Sequence, residues 1–207
     1  MDVLVAGSHG GVGQHVTELL SESEHTAHAM VREESQVSEM EEKFGVDVVV
    51  ADLTEEVSHA VEGCDAVIFA AGSSGEDVEG VDRDGAIRLI DAAEQEGTDR
   101  FVMLSSINAD RPAESPEELR PYLEAKLAAD EHLQESDLTY TIARPGALTD
   151  EPATGKIEAA RRVERGEITR ADVARTLVTA LDAETTHGKT FELIEGDEPI
   201  ESALDRL

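Results

Sequence analysis

The stretch GSHGGVG, residues 7–13, separates the apolar run MDVLVA from the helix-forming run QHVTELL. Its glycines Gly7, Gly10 and Gly13 have the spacing G-x-x-G-x-x-G. A loop of this kind, between a first strand and a first helix, is typical of a site for a dinucleotide pyrophosphate. Glycine permits the tight turn and the close approach of the phosphate, and the helix N-terminus offers unpaired amides. The pattern therefore predicts a dinucleotide-binding loop, with a plain turn as the alternative.

The sequence that follows predicts the sheet to which this loop belongs. Apolar runs alternate with amphipathic segments, and most of the runs are continuous, as in strands covered by helices on both faces. This order implies right-handed crossovers, so we expect an α/β fold with a Rossmann-type doubly wound parallel sheet of about six strands. The strands are expected at residues 3–6, 26–31, 46–51, 65–71, 100–106 and 138–145, and the helices near 13–22, 33–43, 54–61, 80–96 and 121–135.

The alternation breaks down after residue 145. A loop at residues 149–155 precedes a helix for which Thr169 is the expected N-cap, with Asp172 at the third helical position. A last strand at 188–196 and a closing helix follow. We expect one domain over residues 1–207, with residues 149–207 as a small C-terminal substrate lobe packed on it, because so few residues do not fold alone.

The composition is strongly acidic, with 47 Asp and Glu against 17 Lys and Arg and a net charge of −30. Such a charge repels nucleic acids and anionic membranes and resembles that of halophilic proteins, in which salt screens the surface. No apolar run approaches the roughly 20 residues of a membrane span, and no signal-peptide pattern is present. We therefore expect a cytoplasmic protein, monomeric or homodimeric, that takes a small-molecule substrate without a nucleic-acid or membrane partner.

A metal site is not expected. Cys64 is the one cysteine in the sequence, which excludes an internal disulfide and a cysteine-based metal site. The seven histidines have no ligand spacing. His9, inside the glycine loop, either contacts a phosphate or is solvated.

The end of the second strand, MVREE, bears on which dinucleotide binds. An acidic residue normally lies here and binds the adenosine ribose, about 20 residues beyond the loop. In this chain the position holds Arg32, whose guanidinium is suited to a 2′-phosphate, so NADP(H) is favoured. If the strand runs one residue longer, Glu33 or Glu34 faces the ribose and NAD(H) is possible. Arg32 as an ordinary surface charge is the remaining alternative.

The other strand ends supply further candidate cofactor contacts. Asp52 in ADL is placed to accept the adenine amino group while Leu53 packs on the ring, and AAG at 70–72 ends the fourth strand near the middle of the cofactor. Both segments are equally compatible with ordinary connections. The candidate cofactor contacts from the loop and these two ends are Gly7, Ser8, His9, Gly10, Gly11, Val12, Gly13, Asp52, Leu53, Ala70, Ala71 and Gly72.

A second motif, Tyr122-x-x-x-Lys126, lies on the fifth predicted helix. The two side chains would be one turn apart on a single face, where an ammonium beside a phenol favours the phenolate and makes an acid/base group. Ser105 and Ser106 end the fifth strand, where a hydroxyl can hold a substrate carbonyl. The alternatives are a surface pair on an amphipathic helix and a helix cap or turn. Segments 73–81 and 107–120 are expected to flank the substrate.

The chain resembles the short-chain dehydrogenase/reductase superfamily, in particular its atypical NAD(P)H-binding branch of flavin/biliverdin reductase-like and nitrogen-metabolite-repressor-like proteins. The resemblance covers nearly the whole chain and rests, in order, on GSHGGVG, VR at 31–32, ADL, AAG, RFVMLSS, PYLEAK, ARPGALTDEP and ITRADVA. Many atypical members lack the tyrosine and lysine, whereas this chain keeps both. Its glycine loop departs from the T-G-x-x-x-G-x-G form, which agrees with the atypical branch.

The resemblance also implies roles for individual residues. Ser106 or Ser105, Tyr122 and Lys126 correspond to the catalytic serine, tyrosine and lysine of the superfamily. Lys126 would also bind the nicotinamide ribose, and Pro145 and Gly146 would lie against the nicotinamide. The sequence thus predicts an NADP(H)-dependent oxidoreductase acting on a small carbonyl, alcohol or quinone-like substrate. Epimerisation through a keto intermediate is a close variant, and a redox sensor without turnover is the rival interpretation.

Overall fold

The structure is a computed structural model that describes residues 1–73 and 75–207. Its strands are β1 (Asp2–Ala6), β2 (Thr26–Val31), β3 (Asp47–Val50), β4 (Ala66–Phe69), β5 (Arg100–Leu104), β6 (Thr139–Pro145), β7 (Ala147–Thr149), β8 (Lys156–Ala160), β9 (Glu167–Thr169), β10 (Lys189–Glu195) and β11 (Glu198–Pro199). Nine of them form one sheet in the order β11-β8-β10-β6-β5-β4-β1-β2-β3. The strands from β3 to β10 in this order are parallel to one another, and β8 is antiparallel to both β10 and β11.

The helices cover both faces of the sheet. They are α1 (Gly11–Ser21), α2 (Val37–Phe44), α3 (Ser58–Val61), α4 (Ala86–Glu96), α5 (Arg120–Glu135), α6 (Arg170–Asp182) and α7 (Ile200–Leu204). Because side chains alternate along a strand, Val3 and Val5 pack with α1 and α6 on one face, whereas Leu4 and Ala6 pack with α3, α4 and α5 on the other. The protein therefore has the α/β, Rossmann-type doubly wound fold that the sequence predicts.

The C-terminal residues extend this sheet. Strand β10 pairs in parallel with β6, so it adds a seventh parallel strand to the six expected from the sequence. Helix α6 packs beside α1, and its N-cap Thr169 accepts a hydrogen bond from the Asp172 amide at 3.0 Å, as expected. The short strands β7 and β9 pair separately, in parallel, just beyond the end of β6.

The helix expected near residues 33–43 begins at Val37, after a 3-10 turn at Glu34–Gln36, and two other helices differ more from their expected extents. The helix predicted over residues 54–61 is confined to α3, because Asp52 Oδ1 accepts hydrogen bonds from the Thr54 amide and hydroxyl and holds this segment in a turn. The helix predicted over residues 80–96 consists of a π-helical segment, Val78–Gly85, followed by α4. A π-helical turn is uncommon and is frequent at functional sites.

The topology brings the candidate residues to one edge. Each of six neighbouring parallel strands has a candidate segment at its carboxyl end. These segments are the glycine loop, residue 32 and residues 51–53, 70–72, 105–106 and 145–146. Among the helices of the described residues, none has both the length and the apolar character that a membrane crossing requires.

Candidate dinucleotide-binding and active site

The glycine loop is shaped by close backbone contacts. Gly7 has a φ of +82°, and a Cβ there would lie 2.5 Å from the Ala71 Cα. A Cβ on Gly13 would overlap the Gly7 carbonyl oxygen. The Gly10 amide donates to that same oxygen at 2.9 Å and Gly10 caps α1. Only glycine fits positions 7 and 13, and the cradle that results leaves the exposed Gly10 and Gly11 at the N-terminus of α1.

The side chains of the loop turn away from this cradle. The Ser8 hydroxyl donates to the Met30 carbonyl at 2.8 Å and is buried. His9 Nε2 lies 3.2 Å from Glu39 Oε2 on α2, and Val12 belongs to the hydrophobic core. What the loop presents to solvent is therefore mainly backbone, which suits a phosphate group.

The residues expected at the adenosine lie at the ends of β2 and β3. The Arg32 side chain is 65% exposed, and its Nη2 is 3.3 Å from Glu33 Oε1. The Glu33 carboxylate also caps the turn that precedes α2. The pKa of Asp52 is lowered, chiefly by the hydrogen bonds from Thr54, and the nearby Arg32 charge acts in the same direction. Arg32 and Asp52 are therefore near enough for their charges to interact, and the neighbouring Leu53 is buried.

The end of β4 contacts both the glycine loop and the catalytic lysine candidate. The backbone at Ala70 and Ala71 packs on Gly7, and Gly72 is exposed. A Cβ on Gly72 would lie 3.2 Å from Asp82 Oδ1. The segment predicted to flank the substrate, 73–81, includes residue 74, which lies outside the described residues.

Lys126 is held in a buried and charged environment. Its side chain is 2% exposed, and its Nζ lies 4.0 Å from Asp82 Oδ1 and 5.5 Å from the centroid of the Phe69 ring. Asp82, on the π-helical segment, is 1% exposed; its Oδ2 accepts hydrogen bonds from the Ser73 amide at 3.1 Å and hydroxyl at 2.5 Å. Within the described part of the chain, Asp82 Oδ1 has no hydrogen-bond partner. The ammonium is therefore fixed at the end of β4 by a carboxylate and an aromatic face.

The two candidate serines differ in what their hydroxyls do. Ser105 is buried, and its hydroxyl donates to Asp130 Oδ2 at 2.8 Å. The half-buried Ser106 makes a long contact of 3.5 Å to the Ile107 carbonyl. The Ser106 hydroxyl is thus the freer of the two.

A buried ion pair supports this part of the site. Asp130 Oδ2 accepts a hydrogen bond from Arg144 Nε at 2.9 Å, and both side chains are buried. Burial raises the pKa of Asp130, although Arg144, Ser105 and Lys126 each act in the opposite direction. Asp130 and Asp82 are not among the site residues predicted from the sequence. Asp130 follows Lys126 by four residues, so helical spacing places it on the same face of α5 and was a usable signal.

The remaining catalytic and nicotinamide candidates are on α5 and at the end of β6. Tyr122 is half-buried in the first turn of α5, one turn before Lys126, and its phenol makes no hydrogen bond with the rest of the described chain. Pro145 and Gly146 are buried: the Ile107 amide donates to the Pro145 carbonyl, and the Gly146 amide donates to the Leu193 carbonyl, both at 2.9 Å.

Segment 107–120 is tied to the C-terminal part of the chain. Arg111 Nη2 donates to the buried Glu192 Oε1 on β10 at 2.5 Å, and the Val163 amide donates to Glu192 Oε2 at 3.0 Å. Arg162 pairs with Glu114 at 3.1 Å. Across residues 1–73 and 75–207, no three His, Cys, Asp or Glu side chains are grouped so that they could hold a metal ion.

Comparison with known proteins defines the class. A family model described as NAD(P)H-binding matches residues 7–184. The Bacillus subtilis protein named "Uncharacterized sugar epimerase YhfK" is 43% identical over 215 residues, covering 100% of both chains. A Bacillus halodurans structure, provisionally named an NAD-dependent epimerase/dehydratase, has a TM-score of 0.96 and 41% identity over 100% of both chains. ChuY, an anaerobillin reductase from Escherichia coli O157:H7, has a TM-score of 0.82 and 27% identity over 95% of this chain and 98% of its own.

These matches establish the kind of protein that the fold and the glycine cradle define, a Rossmann-type NAD(P)H-binding protein with an oxidoreductase-like architecture. The chain belongs to the NAD(P)H-binding family whose model covers residues 7–184. The resemblance to the atypical branch of the short-chain dehydrogenase/reductase superfamily is confirmed.

Proposed function

We propose that the protein is an NADP(H)-dependent oxidoreductase whose substrate is a small carbonyl, alcohol or quinone-like compound. The observation that carries the proposal is the buried Lys126 ammonium, which lies near Phe69 at the end of β4, one helical turn from Tyr122. The residues that follow Phe69 pack on the glycine loop. A surface pair on an amphipathic helix would leave the ammonium solvated, and this one is 2% exposed.

The residues present fit a dinucleotide. The cradle that a Cβ on Gly7 or Gly13 would fill lies at the N-terminus of α1, where amides and the helix dipole favour a diphosphate. Lys126 would hold the nicotinamide ribose, and Pro145 and Gly146 would line the ring. Bound in this way, the nicotinamide would supply or accept a hydride.

The chain's own residues would handle the proton and the substrate. Tyr122 would donate a proton to the oxygen of a carbonyl substrate as it becomes an alkoxide, or remove it in the reverse direction. The Lys126 ammonium nearby would favour the phenolate that remains. Ser106 would orient the substrate oxygen, since the Ser105 hydroxyl is already donated to Asp130.

The preference for NADP(H) is part of the same proposal. Arg32 projects from the end of β2 into solvent beside Asp52, in the place where a 2′-phosphate would lie. Glu33 is engaged in the cap of the following turn, which leaves the guanidinium as the group better placed for the ribose. A guanidinium can bind a phosphate through two parallel hydrogen bonds.

Epimerisation is the second candidate, because a relative that matches the whole chain at 43% identity is named a sugar epimerase. An epimerase of this type would use Tyr122 and the nicotinamide twice, through a transient keto intermediate. Isomerisation of a sugar substrate without net change in NADPH would favour this candidate over net reduction.

The test of the proposal compares the two tyrosines of the chain. Purified wild type, Tyr122→Phe and Tyr140→Phe are assayed for NADPH oxidation against a panel of small carbonyls and quinones. Removing the acid/base group should lower kcat by about 100-fold or more while the Kd for NADPH stays unchanged. Tyr140 lies on β6 at the amino end of the sheet, so Tyr140→Phe should retain activity.

Three results would contradict the proposal. Activity unchanged in Tyr122→Phe would remove the catalytic role of the phenol. Tight NADPH binding by a wild type that turns over nothing across the panel would favour a redox sensor. Equal affinity of the wild type for NADPH and NADH, titrated in KCl, would remove the NADP(H) preference.

A further inference from the structure

Arg170, the first residue of α6, lies against the glycine cradle. A Cβ on Gly11, the first residue of α1, would lie 2.9 Å from Arg170 Cδ and 3.0 Å from its Nε. The guanidinium therefore comes from the C-terminal part of the chain to the helix end where a dinucleotide diphosphate is expected. No sequence motif assigned a role to this residue.

The side chains of the glycine loop bring no cationic group to the cradle. Among its side chains, His9 is directed to Glu39 and Ser8 is bonded to the Met30 carbonyl. The protein has a net charge of −30, which opposes the entry of an anionic cofactor. A guanidinium on the first turn of α1 supplies an opposite charge and a fork of donors where the diphosphate would lie.

Arg170 is not fully committed to another partner. Its Nη1 lies 2.7 Å from Asp150 Oδ1, but the Asp150 side chain is 87% exposed, and such exposed pairs contribute little to stability. The Arg170 side chain is itself 31% exposed, and a guanidinium has further N–H donors besides the one that Asp150 receives.

Arg170 is also not needed to fix the start of α6. Asp172 holds that turn: its carboxylate accepts hydrogen bonds from the Thr154 and Gly155 amides at 2.8 Å each, and its amide is capped by Thr169. The pairing of β7 with β9 fixes the preceding residues. A purely structural role for Arg170 would duplicate these contacts.

We propose that Arg170 is a ligand of the dinucleotide diphosphate, so that the C-terminal part of the chain contributes a side chain to the glycine-loop site. The proposal rests on the dinucleotide site of the proposed function and adds a residue to it. It predicts a division of labour: Arg170 recognises the diphosphate that NADPH and NADH share, whereas Arg32 recognises the 2′-phosphate that only NADPH carries.

Titrations with three ligands test this division. NADPH, NADH and adenosine 2′-monophosphate, which lacks the diphosphate, are titrated at one KCl concentration into wild type, Arg170→Ala and Arg32→Ala. Loss of a charge-assisted fork should weaken NADPH and NADH alike by about 10- to 100-fold in Arg170→Ala and leave adenosine 2′-monophosphate unchanged. Arg32→Ala should weaken NADPH and adenosine 2′-monophosphate and leave NADH unchanged.

Two further variants control for charge and geometry. Arg175→Ala removes the same charge from an exposed position on the same helix and should leave all three affinities unchanged. Arg170→Lys keeps the charge but loses the fork, so its affinities should be intermediate. Thermal unfolding of each variant confirms that it is folded.

Dinucleotide affinities in Arg170→Ala equal to those in Arg175→Ala would overturn the role of Arg170 while leaving the proposed function intact. Weakening confined to NADPH would also overturn it, because the residue would then recognise the 2′-phosphate. A wild type that binds neither NADPH nor NADH would instead overturn the dinucleotide site itself, and the inference with it.

Discussion

The two halves of the carboxyl edge of the sheet are built in different ways. At the ends of β1, β2 and β3, glycine backbone and exposed side chains such as Arg32 form the surface. Near the ends of β4, β5 and β6 the charged groups are buried, with Lys126 close to Asp82 and Asp130 paired with Arg144. We refer to these as the glycine half and the buried-charge half.

The difference bears on how a very acidic protein would combine the proposed diphosphate site with the proposed acid/base pair. The glycine half offers amides and a helix dipole, which need no buried charge to attract a diphosphate. The buried-charge half fixes its ammonium away from water, where neighbouring charges act strongly and salt screens little. The first half depends on backbone shape, and the second on side-chain pairs.

The largest expected effect comes from breaking the glycine half. In Gly13→Ala, the new methyl would overlap the Gly7 carbonyl oxygen and lie 2.7 Å from its carbon, both of them backbone atoms that cannot move without distorting the loop. We expect a loss of about 3 kcal/mol in the free energy of unfolding and no detectable NADPH binding. Urea unfolding and fluorescence titration measure the two effects.

Gly97→Ala is the matched control. Gly97 has a φ of +79° but no neighbour within 4 Å of a Cβ, so only backbone strain of about 1–2 kcal/mol is expected and NADPH affinity should not change. Normal NADPH binding by Gly13→Ala would show that the cradle does not depend on that contact.

The next effect comes from breaking the buried-charge half at Asp130. Asp130→Ala removes the buried partner of the Arg144 guanidinium, which keeps only the exposed Asp110 at 3.3 Å, and it removes the acceptor of the Ser105 hydroxyl. Because Arg144 keeps this second partner, we expect a destabilisation of about 1–3 kcal/mol in urea unfolding. Asp84→Ala, which removes an exposed partner of Arg83, should change stability by about 0–1 kcal/mol. Equal losses of unfolding free energy in the two variants would mean that the buried pair at Asp130 stabilises the fold no more than an exposed ion pair does.

A smaller effect is expected from Asp82→Asn. This change keeps the shape of the side chain but removes the carboxylate beside the Lys126 ammonium. With a substrate from the panel, kcat should fall by about 10-fold because the ammonium loses its fixed position, while KM and the Kd for NADPH stay nearly unchanged. Glu79→Gln, exposed on the same π-helical segment, is the control. A rise in KM without a change in kcat would contradict this positioning role.

The smallest expected effect is a difference between the two halves in how they respond to salt. Raising KCl should reduce the ratio of the NADPH affinity to the NADH affinity, because Arg32 is exposed and its charge is screened. It should not alter the loss of unfolding free energy in Asp130→Ala, because that pair is buried.

Across the whole protein, the melting temperature should rise with KCl, because the net charge of −30 repels itself at low salt. A melting temperature indifferent to KCl would contradict the interpretation of the acidic surface.

The sequence predicts the glycine half well and the buried-charge half only in part. Periodic apolar runs and glycine spacing are local signals, so the strands, the loop and the helix that carries Tyr122 and Lys126 could all be predicted. The pairing of Arg111 with Glu192 joins residues far apart in the chain and leaves no local pattern. Asp82 lies on a π-helical segment, in which the number of residues per turn differs from that of the expected α-helix. The direction of the Asp82 side chain could therefore not be inferred from helical spacing.

The choice between Ser105 and Ser106 shows the same limit. Both follow β5, and the sequence does not tell which hydroxyl has an internal partner. In the structure the Ser105 hydroxyl has the partner, which is Asp130 on α5. Side-chain partners across elements decide this half of the site, and such partners depend on the tertiary fold.

The most direct test of the account is a crystal structure of the wild type with NADPH. The account predicts the diphosphate on the amides at the start of α1, with Arg170 on its oxygens, and the nicotinamide ring between Gly146 and the Tyr122 phenol. A diphosphate bound elsewhere, or a nicotinamide directed away from Tyr122 with Lys126 out of reach of its ribose, would contradict it.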